Sequence, residues 1–193
     1  NQSEFWLGKM ALTLKKKNNV VIVTGEIGSG KTSFMLKLAE MLASEGIKAG
    51  GIIAPARYNG DEKTGYSVID LQTSDSMQLS SISESVGMAK VGRYFFSEEA
   101  LAFGRNALSV ERNQGNDLVL IDEVGAWELQ GQGWAGSLNE LIINCNMPLI
   151  LTVRRSFLEL VIENWMFQNP LVIEAKDAQV DSAVAEIERF AKL

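Results

Sequence analysis

The chain reads as an alternation of two apolar patterns. Residues 19–24 (NVVIVT) form an unbroken β-branched run, the pattern of a strand buried on both faces. Residues 32–44 follow with Phe34, Leu36, Leu38, Ala39 and Leu42 on one helical face, and Gly46 stands where a helix-terminating glycine belongs. Residues 47–54 predict a second strand. Residues 98–114 predict a helix with Ser97 as its N-cap, and residues 117–122 a third buried strand. A helix over 134–144, a strand over 148–153, a helix over 156–165, a short strand over 171–174 and an amphipathic helix over 180–190 complete the series. Strands and helices in strict alternation predict an α/β fold, a mainly parallel sheet covered by helices.

Residues 55–85 break that rhythm. They are polar, carry turn signals at Asn59-Gly60 and Ser74-Asp75, and hold two short alternating stretches near 65–71 and 77–82. This predicts a β-hairpin or small antiparallel insert. A length of 193 residues suits one domain, 1–193, with residues 1–18 as an N-terminal extension and 55–85 as the insert.

The chemistry concentrates in one stretch. Gly25-Glu26-Ile27-Gly28-Ser29-Gly30-Lys31-Thr32 fits G-x-x-x-x-G-K-[ST] at every fixed position, between a buried strand and a helix. Glycines let the backbone approach a phosphate, and successive N–H groups form an anion nest. The positive end of the following helix adds to it. Lys31 then reaches the β- and γ-phosphates, and the Thr32 hydroxyl ligates Mg²⁺. Ser33, next in the helix, joins the phosphate-binding set. This is a P-loop, and its expected ligand is a nucleoside triphosphate.

Leu118-Val119-Leu120-Ile121-Asp122-Glu123 is an apolar strand ending in two acids. Acids at the C-terminal end of a central parallel strand face the ligand crevice. Asp122 suits a direct or outer-shell Mg²⁺ role, and Glu123 can orient and deprotonate an attacking water. Thr152 would sense the γ-phosphate if its strand lies between those of the phosphate loop and Asp122. Arg154 or Arg155 could meet transition-state charge, and Arg93 is a further candidate. Trp127 and Trp134 flank a glycine-rich stretch, where core packing is the simpler role and base stacking the alternative.

Composition narrows the field. The chain has no histidine and one cysteine, Cys145. Histidine-based triads, histidine zinc sites and an internal disulfide are therefore excluded. Cys145 reads as a small buried apolar residue. A net charge of −6 argues against a nucleic-acid backbone as the main partner, while leaving room for a local basic patch. No apolar run approaches the ~20 residues of a membrane helix. In residues 5–17 the basic residues follow the apolar ones, the reverse of a secretion signal, so a cytoplasmic location is expected. No feature identifies a protein partner.

The order of these motifs resembles the THEP1-type nucleoside-triphosphatases, a family of small P-loop proteins. The resemblance spans roughly residues 20–173. It rests on the phosphate loop, Gly51-Ile52-Ile53, Gly65-Tyr66, Asp70-Leu71, Val91-Gly92-Arg93-Tyr94, Ile121-Asp122-Glu123-Val124-Gly125, Glu128-Leu129, and Thr152-Val153 with Arg155. It implies Mg²⁺-dependent hydrolysis of several nucleoside triphosphates with loose base preference. It also implies Asp122 for the metal and Glu123 for the water; of the two arginines, Arg155 is the expected catalytic group beside Lys31 and Glu123. With the acidic motif it implies a P-loop three-layer sandwich with core order 5-1-4-3-2, counting strands that start near 19, 47, 117, 148 and 171. The 55–85 segment should then extend that sheet as an antiparallel edge. Departures occur at Ala54, Ala126, Trp127 and Arg154, where the family pattern has threonine, a basic residue, methionine and histidine. Two other activities stay open, a small-molecule or nucleotide kinase and a nucleotide-gated binding module with little turnover. A kinase would need an acceptor pocket, and no dense arginine cluster marks a lid.

Overall fold

The computed structural model describes residues 19–84, 88–176 and 180–193. The expected 1–18 extension, with the charge order read in it, lies outside them, as does Ser85 at the end of the expected insert.

Ten strands among the described residues form one sheet. The strands are β1 (Val20–Gly25), β2 (Ala49–Ile53), β3 (Ala56–Asn59), β4 (Glu62–Asp70), β5 (Ser76–Ser81), β6 (Met88–Val91), β7 (Tyr94–Ser97), β8 (Leu118–Val124), β9 (Leu149–Arg154) and β10 (Leu171–Glu174). Their order is β10-β1-β9-β8-β2-β4-β5-β7-β6, with β3 paired to β4. The first five neighbours are parallel and reproduce the expected 5-1-4-3-2 core. From β4 onward the pairing is antiparallel.

The β-branched runs explain the layers. Successive side chains of a strand point to opposite faces, so a strand apolar at every position feeds two cores. Val20 and Ile22 of β1 join Val119, Ile121, Leu149 and Leu151 on one face. Val21 and Val23 join Leu118, Leu120 and Ile150 on the other. The second face is covered by α1 (Lys31–Ser44) through Phe34, Met35, Leu38 and Leu42, and by α7 (Val180–Ala191) through Ala183, Val184 and Ile187. The first face is covered by α2 (Glu98–Ala107), α5 (Ala135–Asn144) and α6 (Leu158–Trp165). This is the expected three-layer sandwich. Cys145 is buried, as its apolar reading anticipated. No described helix is long and apolar enough to cross a membrane.

Two local expectations are corrected, and one element is added. The helix expected over 98–114 is two pieces, α2 and the short α3 (Val110–Asn113). Between them Leu108 buries its side chain and Ser109 is extended, so tertiary burial breaks the helical run. The antiparallel part does not stop near residue 85, because β6 and β7 add a second hairpin through the two-residue turn Gly92-Arg93. The glycine-rich stretch after Glu123 contains a one-turn helix, α4 (Ala126–Leu129), closed by a side chain instead of by propensity. The Ser97 expectation holds: its hydroxyl accepts the Ala100 N–H at 3.2 Å.

Gly51 lets two strands of the parallel core close on each other, β2 at its edge and β8 beside it, and the antiparallel wing (β3 to β7) continues from β2. A Cβ there would lie 2.0 Å from the Leu120 carbonyl oxygen of β8, and its φ of +99° disfavours any side chain. Only glycine lets β2 approach β8 this closely.

Candidate active site

The phosphate loop leaves β1 at Gly25 and enters α1 at Lys31. Gly30 caps the helix in the left-handed conformation, φ 86°, which glycine adopts without penalty. Ser29 N–H donates to the Glu26 carbonyl at 3.1 Å, closing the turn. Lys31 is 7% exposed, and its ammonium donates to the carbonyls of Gly25 (3.0 Å) and Glu26 (2.8 Å). Burial lowers its pKa, and the Glu123 carboxylate opposes that shift. Glu26, Ile27, Gly28 and Gly30 are exposed at the mouth, Thr32 is half-buried, and Ser33 is exposed on the first turn of α1. The Ser29 and Thr24 hydroxyls are buried with no hydrogen-bond partner. A buried hydroxyl normally finds a partner, so these two are spare donors beside the loop.

Asp122 and Glu123 would point to opposite faces of a regular strand. Here β8 slips against β9 between Ile121 and Val124, and Glu123 takes a left-handed φ of 67°. Such a conformation is rare outside glycine and is stored where the surroundings over-determine it. The bulge brings Glu123 to the crevice near Lys31, beside the fully buried Asp122. Thr152 secures it. Its hydroxyl donates to Asp122 Oδ1 at 2.6 Å and accepts the Glu123 N–H at 2.7 Å. This follows from β9 lying between β1 and β8, the condition set above for Thr152. Asp122 Oδ2 accepts the Ala54 N–H at 3.0 Å. The Thr32 hydroxyl lies close enough to the Asp122 carboxylate to favour its charged form, so the two expected metal ligands adjoin.

Burial pushes the Asp122 carboxyl up, and its hydrogen bonds pull it back. Burial raises Glu123 as well, reinforced by the Asp122 charge and opposed by Arg154 and Lys31. Arg154 Nη2 lies 3.7 Å from Glu123 Oε2 and lines the crevice. Arg155 turns toward the loop instead. It pairs with Glu174 of β10 and lies 3.4 Å from Glu26 Oε1. The two arginines thus flank the phosphate loop from different sides.

Beyond Glu123 the crevice widens into a cavity of about 400 Å³. The wing supplies Tyr66, Leu79, Tyr94 and Phe96, and the turn after β8 supplies Ala126 and Trp127. Trp127 packs on Phe96 with ring centroids 4.8 Å apart. Arg93 extends its guanidinium over the Tyr94 ring, 4.8 Å from its centroid, so this candidate sits on the cavity wall and not on the loop. Trp134 is core, 3% exposed, as the simpler role required. All four departures from the family pattern, Ala54, Ala126, Trp127 and Arg154, line this cavity.

Glu128 holds the cavity floor. Its carboxylate accepts Gly125 N–H at 2.9 Å and Trp134 N–H at 3.2 Å, closing α4 from within. Burial raises its pKa to about 7. Sequence reasoning placed Glu128 in a motif without a role. The signal was present: a carboxylate three residues after Gly125 is the spacing of a capping box.

Comparison with known proteins agrees with this fold. A family model described as NTPase matches residues 20–175. The nucleoside-triphosphatase THEP1 of Methanocaldococcus jannaschii is 32% identical over 138 residues, covering 71% of this chain and 79% of that protein. THEP1 of Methanopyrus kandleri is 30% identical over 162 residues, covering 83% and 82%. The fold matches the crystal structure of THEP1 from the hyperthermophile Aquifex aeolicus, with a TM-score of 0.65, 19% identity, and 90% and 99% of the two chains covered. It also matches a human cancer-related nucleoside triphosphatase, with a TM-score of 0.68, 21% identity, and 90% and 96% covered.

Proposed function

From the premise that the chain belongs to the NTPase family and is a nucleoside-triphosphatase, we propose that it works as a single domain which hydrolyses several triphosphates in a Mg²⁺-dependent reaction at the crevice between α1 and β8. The observation that carries this reading is the bulge at Asp122–Glu123, which brings an acid to Lys31 at the end of a central strand.

The residues fit a magnesium ion. Thr32 and Asp122 offer adjoining hard oxygens, and the described residues contain no cluster of three or more acidic, histidine or cysteine ligands. Mg²⁺ is typically held by one or two carboxylates together with phosphates and water, which suits so sparse a donor set. When bound, the ion would neutralise charge on the β- and γ-phosphates.

The protein's own groups do the rest. The backbone N–H groups of the 25–32 loop hold the phosphates, with Ser29 as an added donor and Ser33 on the following turn. Lys31 exchanges its bonds to the loop carbonyls for the β- and γ-phosphate oxygens. Glu123 holds a water in line with the γ-phosphorus and takes its proton. A carboxylate whose pKa is raised by burial is a stronger base than one in water. Thr152 fixes Asp122 and Glu123 relative to each other. Arg154, beside Glu123, and Arg155, beside Glu26 and Glu174, are the candidates to meet charge growing on the transferred group, and Arg155 reaches it by leaving both carboxylates. The loop contacts only what all nucleotides share, which supports loose base preference.

A phosphate-release assay across ATP, GTP, CTP and UTP, with and without Mg²⁺, tests this. Comparable turnover of all four in Mg²⁺ and its loss in chelator are expected. A preference above about 1,000-fold, ~4 kcal/mol, would contradict loose readout.

A further inference from the structure

Hydrolysis needs only a water at Glu123, yet the crevice continues past it into a cavity of about 400 Å³. Ordinary small-ligand pockets span about 300–1,000 Å³, are mostly apolar, and hold a few convergent polar groups. This one has aromatic walls in Phe96, Trp127 and Tyr94, and the polar groups Lys31, Glu123 and Arg154 at its inner end.

The position identifies which end of the nucleotide the cavity serves. On the reading proposed above, Lys31 takes the β- and γ-phosphates, and Glu123, which shares the crevice with it, would lie behind the γ-phosphorus, where an in-line nucleophile enters. The cavity is lined by both, but by none of Gly28, Ser29, Gly30 or Ser33. It opens on the nucleophile's side, and the base, joined through the α-phosphate, lies at the other end. A molecule in the cavity would present its own atoms to the γ-phosphorus.

We propose that this cavity is an acceptor pocket: it takes a planar aromatic alcohol, stacks it against the packed Phe96–Trp127 pair and Tyr94, and passes its hydroxyl the γ-phosphoryl group in place of water. The proposal rests on the hydrolase reading, since it uses the same loop and the same Glu123. In the step the acceptor oxygen bonds to the γ-phosphorus. The bond from that phosphorus to the β,γ-bridging oxygen breaks, and its electron pair leaves with the nucleoside diphosphate. The hydroxyl proton passes to the Glu123 carboxylate. The products are a phosphate monoester and a diphosphate. Flat rings suit the walls because aromatic pairs gain from offset or edge-on stacking at centroid distances of about 4.5–7 Å. The acceptor would also displace water from Glu123, so transfer would suppress hydrolysis.

The test has a binding arm and a transfer arm. Adenosine, cytidine, thymidine, pyridoxine and tyrosol are the planar probes, with glycerol and glucose as non-planar controls. Each is titrated calorimetrically into protein saturated with Mg²⁺ and a non-hydrolysable ATP analogue, then incubated with γ-labelled ATP and separated by chromatography. At least one planar alcohol should bind the saturated protein and carry label as an ester, with free phosphate falling as ester rises. Glycerol and glucose should do neither. Ala126→Phe, which adds a ring at an exposed position of the cavity mouth, should raise the acceptor's KM by about 10-fold or more in protein whose circular dichroism is unchanged. The proposal is overturned if no planar probe binds, if binding occurs only in competition with the analogue, if all label appears as free phosphate, or if Ala126→Phe transfers as well as the unmodified chain. Free phosphate without ester leaves hydrolysis standing. Neither product would remove the hydrolase reading too.

Discussion

In the parallel half of the sheet every residue of β1 is buried, and β8 and β9 each have a single residue short of full burial. In the antiparallel wing no residue of β6 or β7 is fully buried, and β3 is exposed along most of its length. Both halves share one continuous sheet, so the contrast is one of packing and not of connectivity. Strands with helices on both faces cannot shift without opening a core, because protein interiors are close-packed. The loop, Asp122, Glu123 and Thr152 all ride on them. Wing strands expose much of their surface and present half-buried aromatics to the cavity. Reaction geometry sits where the fold yields least, and the ligand-facing wall sits where side chains can exchange at lower cost.

The sharpest break of this comparison is Glu123→Gln on the rigid half. It should lower kcat by about 10²–10⁴-fold while leaving nucleotide Kd nearly unchanged, because the lost contact is to water and not to phosphate. Phosphate release and titration calorimetry read the two quantities. A near-normal rate would move the base elsewhere and leave the rigid half with binding alone.

At the seam between the halves Glu128 predicts a pH effect. Its folded pKa, about 7, lies above the ordinary 4.5, so the folded state holds its proton where the unfolded chain has released it. Its contribution is therefore fully present below pH 4.5 and is lost as pH rises toward 7. A shift of this size corresponds to about 3 kcal/mol. Urea unfolding across that range should show the decline, and Glu128→Gln should flatten it. An equally steep decline in the variant would assign the effect to another group.

Lys31→Ala tests the loop itself. Charge-assisted hydrogen bonds are worth about 1.5–3 kcal/mol, so triphosphate affinity should fall about 10–100-fold. Unchanged affinity by calorimetry would detach the loop from phosphate binding.

The smallest effect belongs to the wing. Ser97→Ala removes the cap where β7 enters α2 and should cost about 1 kcal/mol, a fall in Tm of about 2–4 °C for a chain of this size. Turnover should hold within about twofold, since no reacting group rests on this cap. A larger loss of kcat would show that the wing also sets the reaction geometry, and the contrast between the halves would narrow.

Much of the platform was legible from residue order alone. A β-branched run such as 19–24 has one comfortable environment, a strand with a core on each face, and a G-x-x-x-x-G-K-T segment between strand and helix leaves little choice of loop. The acid pair, the Ser97 cap and the Asn59-Gly60 turn are likewise local facts, written within a few residues. The second hairpin was less visible, because Tyr94-Phe95-Phe96 shows no alternation when neither face of the strand is fully buried. Its one local cue was the two-residue turn Gly92-Arg93. The order 5-1-4-3-2 came from the Asp-Glu acidic motif and the resemblance and not from any periodicity, since which strands become neighbours depends on contacts distant in sequence.

Only the tertiary structure decided three things. It turned Glu123 toward Lys31 through a bulge that no propensity predicts, because the strain is held by Thr152 from a strand 29 residues away. It sent Arg154 to Glu123 and Arg155 to Glu26 and Glu174, although the two are adjacent in sequence, because the chain leaves β9 between them. It also gathered Tyr66, Phe96 and Trp127 from three elements into one cavity. Local sequence sets the conformation of a segment through short-range sterics and hydrogen bonds. Which distant side chains meet is set by how the finished layers close on one another.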